Sequence, residues 1–422
     1  MTMARHVSGF LAGIMILCVA STAFGSPRPL RSNEDDTSFL NVFDYGAKGD
    51  GQSDDSGAFL KAWEAACNGD KAGQGPTIFV PYGKSFLLRP LQFQGPCKSE
   101  SIQFQIWGNI TAPAKIEEWH NCESGSWILF SEITNLKLTG KGYFDGRGQA
   151  WWSKDESQLL PHDDDDDSCD RPKALTFLKI VNLELSGPTH LNSPRAHIRL
   201  EDSTSVKLTD LLIQAPEDSP NTDGIAIGAS SHIEIRDCTI ETGDDCIAIK
   251  GGTSNIEVTN VKCGPGHGIS VGSLGYEGAH ETVEEVYVRN CEFKSSDNGA
   301  RIKTWEGGSG YVRGILFENI KVSDTKRPII IDQSYCDDQK SSCKVASSVV
   351  TISDVTYRHV RGISKSDLAI DLSCAAGTGC TNIVLDDIDL SSEDGEKSYA
   401  ECKNVFQASF TSVNPPVSCQ NS

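Results

Sequence analysis

From about Ile102 onward, apolar and polar residues alternate in short runs separated by glycine or polar breaks. Clear examples are Ile198-Arg199-Leu200, Ile225-Ala226-Ile227, Ile233-Glu234-Ile235, Ile247-Ala248-Ile249, Ile256-Glu257-Val258, Ile269-Ser270-Val271, Val286-Tyr287-Val288 and Ile315-Leu316-Phe317. Alternation with period two turns every second side chain inward, as in a half-buried strand. No long amphipathic helices separate the runs, which argues against an α/β barrel or a dinucleotide-binding fold. Hairpin-turn signals are scarce, which disfavours an antiparallel sandwich. An all-β parallel solenoid is expected, each coil stacked on the last. One helix is predicted before the repeats, with Phe59, Ala62, Trp63 and Ala66 on its apolar face and Asp54 or Ser56 as its cap. A solenoid needs its open end covered, so this helix is assigned as the N-terminal cap.

The first 25 residues have the form of a secretory leader: Arg5 and His6, an apolar run from Phe10 to Ala20, then Ala23-Phe24-Gly25. That run is short for a membrane span. Residues 26–40 are assigned to an N-terminal arm and 41–422 to one catalytic domain, secreted and with no membrane association once the leader is cut. Losing the leader takes the formal charge from −20 to −21 and the cysteines from 15 to 14. An even count in a secreted chain permits disulfides. The expected pairs are Cys67–Cys97, Cys246–Cys263, Cys336–Cys343, Cys374–Cys380 and Cys402–Cys419, with Cys238 and Cys291 as buried thiols. No Cys-x-x-Cys pair speaks for zinc. The acidic balance excludes nucleic acid as a partner. An anionic substrate must then be held by a few local cations. Asn109-Ile110-Thr111 is an N-glycosylation acceptor. The unbroken run Asp163–Asp167 lacks the turn-forming spacing of a calcium loop and is assigned to a solvated loop.

Three motifs carry the chemistry. From Asp223 to Asp245 is 22 positions, and from Asp245 to His267 is again 22. Equal register stacks these groups over about 10 Å, at roughly 4.8 Å per strand. Asp223, Asp244 and Asp245 are too close to ionise independently, so at least one keeps its proton to higher pH. A proton donor beside ionised bases is the equipment of glycosidic hydrolysis. His267, between two glycines, can tune that proton or hold a hydroxyl. Arg301 and Lys303 lie two apart on one strand face and suit the carboxylate of an acidic sugar, or else a salt bridge to the aspartates. Tyr335 is a weaker candidate for stacking on a sugar.

Together these residues resemble the polygalacturonases. The signatures are Ser219-Pro220-Asn221-Thr222-Asp223-Gly224, Thr242-Gly243-Asp244-Asp245-Cys246, Cys263-Gly264-Pro265-Gly266-His267-Gly268 and Arg301-Ile302-Lys303-Thr304-Trp305. The similarity extends through Tyr45–Gly51, Asp145–Trp152 and Asn192–Pro194, over nearly the whole mature chain, in the style of the plant branch. It implies a right-handed, single-stranded parallel β-helix. It also implies inverting hydrolysis of α-1,4-galacturonosyl links in de-esterified pectin, outside the cell in the wall. By motif position Asp244 is the general acid, and Asp223 and Asp245 activate water. His267 supports the acid, Arg301 and Lys303 bind the galacturonate carboxylate, and Asn221 and Tyr335 line the cleft. No cofactor or metal is implied, and a monomer is expected. Many relatives carry a histidine where Ala226 stands, which bears on subsite detail.

Three other readings compete. A sister hydrolase such as a rhamnogalacturonase is disfavoured by intact Arg301-Ile302-Lys303 and Gly266-His267-Gly268. A pectate lyase would need calcium and a basic arginine. A silent pectin-binding wall protein would have no need of the full carboxylate set. Endo or exo action is left open by the sequence, with Gly275–Glu284 as a candidate loop at the cleft.

Overall fold

The computed structural model describes residues 39–69, 75–120, 124–152, 170–336, 349–392 and 397–420. The leader, most of the arm, Cys343 and Asp163–Asp167 lie outside the described residues. The remainder winds as a right-handed parallel β-helix. One face of it is an eleven-stranded sheet running from Leu91–Gln94 to Tyr399–Lys403. Each strand pairs in parallel with its equivalent one coil on.

The alternation explains the stacking. Ile198, Ile225, Ile247, Ile269, Ala300, Ile329 and Ile370 occupy successive rungs of this sheet. All seven are buried. Leu183, Val206, Ile233, Ile256, Val286, Ile315, Val355 and Ile383 form the matching row of the second sheet system. Each such side chain contributes about 1.5–3 kcal/mol on full burial. At one corner the chain turns through Asp210, Asp237, Asn260, Asn290 and Asn319, with φ between 55 and 57°. Asn and Asp tolerate this left-handed region best among residues bearing a Cβ. Their side chains bond along the stack, Asn260 Nδ2 donating to Asp237 Oδ1 at 2.6 Å and Asn319 Nδ2 to Asn290 Oδ1 at 3.2 Å.

The helix Ser56–Asn68 buries Phe59, Ala62, Trp63 and Ala66, as its spacing requires. Its cap differs from expectation. Asp55 occupies the N-cap without a capping bond and instead accepts from the Lys48 and Gly49 amides. Asp54 accepts from the Ser56 amide. Trp63 packs on Phe93 at 5.4 Å, and a ring ladder continues through Phe130 at 4.9 Å to Phe177 at 5.2 Å. The helix thus closes the apolar interior with aromatic surface.

Disulfides join Cys67–Cys97, Cys246–Cys263, Cys374–Cys380 and Cys402–Cys419. The Cys336–Cys343 pairing falls on a residue outside those described. Cys238 and Cys291 are free and buried. Burial pushes their thiols up to about 11 and about 12, which makes them unreactive. The candidate loop Gly275–Glu284 is shorter than expected. A one-turn helix at Tyr276–Gly278 gives way to strand at His280, because the Glu281 carboxylate returns to the Gly275 amide at 2.6 Å.

Candidate active site

The outer face of the eleven-stranded sheet carries a cleft of about 630 Å³. Asp223, Asp244, Asp245, His267, Arg301, Lys303, Asn221 and Tyr335 all line it. The equal spacing read from the sequence is realised in backbone bonds. The Gly224 amide donates to Asp245 O at 2.9 Å, and the Cys246 amide to Gly268 O at 2.8 Å. Thr222 is buried and ties two coils together, its Oγ1 accepting from the Gly243 amide at 3.1 Å and donating to Ser219 O at 2.9 Å. The glycine before His267 is required by the backbone itself. Gly266 has φ 123°, and a Cβ there would stand 2.4 Å from Asp244 O.

Asp245 is the most enclosed carboxylate. Its Oδ1 accepts from Ser270 Oγ at 2.7 Å and from Arg301 Nη2 at 2.7 Å; its Oδ2 accepts from Lys303 Nζ at 3.0 Å. Burial opposes its ionisation, but Lys303 and Arg301 override that and hold it well below the usual carboxylate range. One carboxylate facing two cations leaves a net positive charge at this end of the cleft. Lys303 also lies 5.2 Å from the centre of the Tyr335 ring, which meets Trp305 edge-on at 5.2 Å.

Asp244 is placed differently. Its Oδ1 takes two bonds, from the Asp245 amide at 2.7 Å and from His267 Nδ1 at 2.9 Å. Its Oδ2 makes no hydrogen bond among the described residues. Burial raises its proton affinity, but the His267 bond outweighs this and the net shift is downward. His267 is raised in return, chiefly by the same bond. The Asp223 carboxylate accepts no hydrogen bond among the described residues, and burial followed by the charge of Asp244 pushes it up to about 7. Below about pH 7 the free site therefore keeps a proton on Asp223, beside an ionised Asp244 that is bonded to His267.

One oxygen or nitrogen from each of Asp244, Asp245 and His267 lies within 4.8 Å of the others. Both Asp245 oxygens are already committed, so the donor set suits proton chemistry better than a cation. Sequence reasoning missed several lining residues: Lys173, Arg195, Arg199, Lys250 and Ala196. It also missed Ser270, Asp297, whose carboxylate stands 3.8 Å from His267 Nε2, and Arg171, whose Nη1 donates to Pro220 O at 3.0 Å and to Asn221 Oδ1 at 3.3 Å. The one available signal was register, since Arg199 and Ser270 occupy the same outward row as Ala226, Ala248 and Arg301.

A parallel β-helix with clustered carboxylates, an imidazole and cations in one open cleft defines a carbohydrate-active hydrolase. The chain belongs to the glycosyl hydrolases family 28, whose model matches residues 40–413. It is 47% identical over 384 residues to a probable polygalacturonase of Arabidopsis thaliana, covering 90% of this chain and 80% of that one. It is 40% identical to polygalacturonase-2 of Solanum lycopersicum, covering 89% and 80%. Among solved structures it resembles an endo-xylogalacturonan hydrolase from Aspergillus tubingensis (TM-score 0.73, 24% identity, 91% and 99% covered). It also resembles a polygalacturonase from Erwinia carotovora (TM-score 0.64, 24% identity, 85% and 94% covered). These two likenesses concern the fold.

Proposed function

We propose that this protein is a secreted polygalacturonase that hydrolyses α-1,4-galacturonosyl links of de-esterified pectin, acting outside the cell as a monomer. Family membership and the polygalacturonase relatives support the activity. Four disulfides among the described residues suit an oxidising compartment. No helix among the described residues is long and apolar enough to cross a membrane.

The observation that carries the mechanism is the asymmetry of Asp244, one oxygen saturated and the other unpartnered. A proton on Oδ2 is available to the leaving glycosidic oxygen. Asp223, with no competing bond of its own, takes the proton of the attacking water. Asp245 stays ionised and anchors Arg301 and Lys303, which draw in the galacturonate carboxylate. Asn221 and Tyr335 line the cleft beside the bound sugar. One proton is shared between Asp223 and Asp244. The reactive arrangement has it on Asp244, the resting one on Asp223, and the two differ by a single transfer. Attack of water on the face opposite the leaving oxygen gives inversion.

The test is product analysis on de-esterified polygalacturonic acid, with chelator present, for wild type and Asp244→Asn. Saturated oligomers of inverted anomeric configuration, absent with the variant, are the expected result. Unsaturated, ultraviolet-absorbing products would make the protein a lyase, and no products from folded wild type would make it a binding protein.

A further inference from the structure

Asn109-Ile110-Thr111 is the only Asn-x-Ser/Thr acceptor in the sequence. It falls on the short strand Asn109–Thr111. Ile110 points into the core, so alternation turns Asn109 outward, where it is half-buried. The Asn109 side chain is lightly held. Its Nδ2 donates to Ser85 Oγ at 3.5 Å, and that bond needs only one of the two amide hydrogens.

The surroundings of Asn109 are unusual for this corner of the β-helix. The strand is entered through Trp107 and Gly108, whose amides both donate to Val80 O at 3.0 Å. Those bonds stack this turn on the preceding one, residues 81–84. The two turns carry Trp107, 42% exposed, and Tyr82, 84% exposed. Further along the same corner stand Lys141, Gly187, Asp210, Asp237 and Asn260, which water solvates without loss. Two neighbouring aromatic side chains left in water are unfavourable unless something covers them. A pyranose suits that task. One of its faces is made of C–H groups that pack on an aromatic ring, while its hydroxyl rim stays wet.

We infer that Asn109 carries an N-linked oligosaccharide whose first N-acetylglucosamine is seated on Trp107, with Tyr82 flanking it. The donor is a lipid-diphosphate oligosaccharide of the secretory compartment, the oxidising route that the disulfides also require. Asn109 Nδ2 bonds to the anomeric carbon and gives up one proton to a base of the transferase. The bond from that carbon to the diphosphate oxygen breaks, and the lipid diphosphate leaves with the electron pair. Thr111, whose hydroxyl the acceptor motif needs, is 3% exposed and pairs with Leu87 and Asp145 on either side. The transfer therefore precedes closure of this coil. The sugar stays clear of the reaction: Ile110, Phe144, His190 and Ile213 are successive rungs. At roughly 4.8 Å each, they place Asn109 about 14 Å along the axis from the coil that leads into Asp223.

The experiment uses the full chain secreted from yeast. Peptide mapping is expected to find Asn109 occupied by an oligosaccharide that an endoglycosidase trims to one N-acetylglucosamine. Trimming to that sugar leaves the melting temperature unchanged. Removing it with a peptide N-glycosidase, or by Asn109→Gln, lowers the melting temperature by roughly 2 °C. In Trp107→Ala, which keeps the acceptor motif, the same removal has no effect because the seat has gone. A bare Asn109 in protein recovered from the medium overturns the proposal. An occupied Asn109 whose removal shifts wild type and Trp107→Ala equally overturns the seat on Trp107. Both readouts need no substrate, so they stand apart from the success or failure of the polygalacturonase reading.

Discussion

His267 Nδ1 donates to Asp244 Oδ1 at 2.9 Å, across two adjacent coils. The same oxygen already accepts from the Asp245 amide. These two bonds orient the carboxyl and leave one oxygen for proton transfer. Asp244→Asn keeps an acceptor for both bonds but has no proton to give. Its kcat should fall by roughly 10²–10⁴-fold with KM little changed and the melting temperature preserved. Steady-state kinetics beside a thermal melt checks this.

His267→Ala removes the orienting bond but leaves the carboxyl. The net downward shift of Asp244 depends on that bond, so its proton affinity should rise in the variant. The expected outcome is a smaller loss of kcat than in Asp244→Asn, with a displaced pH–rate profile. A structural role for His267 would lower activity equally at every pH.

Asp223 fixes the alkaline limit. Its affinity is raised from 3.8 to about 7, so the shared proton is lost as pH rises through 7. The rate should decline over that window. Stability follows the same sign. A carboxyl raised on folding contributes fully below its unfolded value of 3.8, and this contribution is lost as pH rises through about 7. Asp223→Asn should therefore melt above wild type at pH 8 and level with it at pH 3. Calorimetry at the two pH values decides it.

The pair Lys303–Asp245 is buried, with side chains 7% and 2% exposed. Lys303→Met leaves Asp245 balanced by Arg301, whereas Asp245→Asn leaves both cations buried without a counter-ion. Breaking the group from the carboxylate side should cost about 3–5 kcal/mol, and Lys303→Met less. Adding Lys303→Met to Asp245→Asn should recover part of the stability without restoring activity. Denaturant melts of the single and double variants measure the coupling.

The disulfide Cys246–Cys263 joins the residue after Asp245 to the turn that carries His267. Its 17-residue separation corresponds to about 3 kcal/mol of loop-closure entropy. Replacing both cysteines by serine should lower the melting temperature, and kcat should drop more than KM worsens, because the Asp244–His267 alignment loosens.

Much of this architecture is written in local pattern. Alternating Ile and Val determine which face is buried, and Asp or Asn at each corner suits the left-handed turn. The helix over 56–68 follows from the spacing of Phe59, Ala62, Trp63 and Ala66. Asp223, Asp245 and His267 were legible as a column because two successive coils are each 22 residues long. That constancy does not hold elsewhere. Arg199 to Ala226 is 27 residues and Ser270 to Arg301 is 31, so Lys173, Arg195 and Arg199 could not be aligned with the site by counting. Which aspartate keeps a proton was equally out of reach. Asp223, Asp244 and Asp245 share one side chain and two coils' worth of similar sequence context. Their proton affinities part only when folding gives Asp245 two cations, Asp244 an imidazole, and Asp223 no partner. The sequence by itself determined the repeat, the buried faces and the chemical groups, because these depend on near neighbours along the chain. The tertiary structure alone decided the protonation order and the further cations of the cleft, because electrostatic energies depend on distances between coils, set by loops of unequal length.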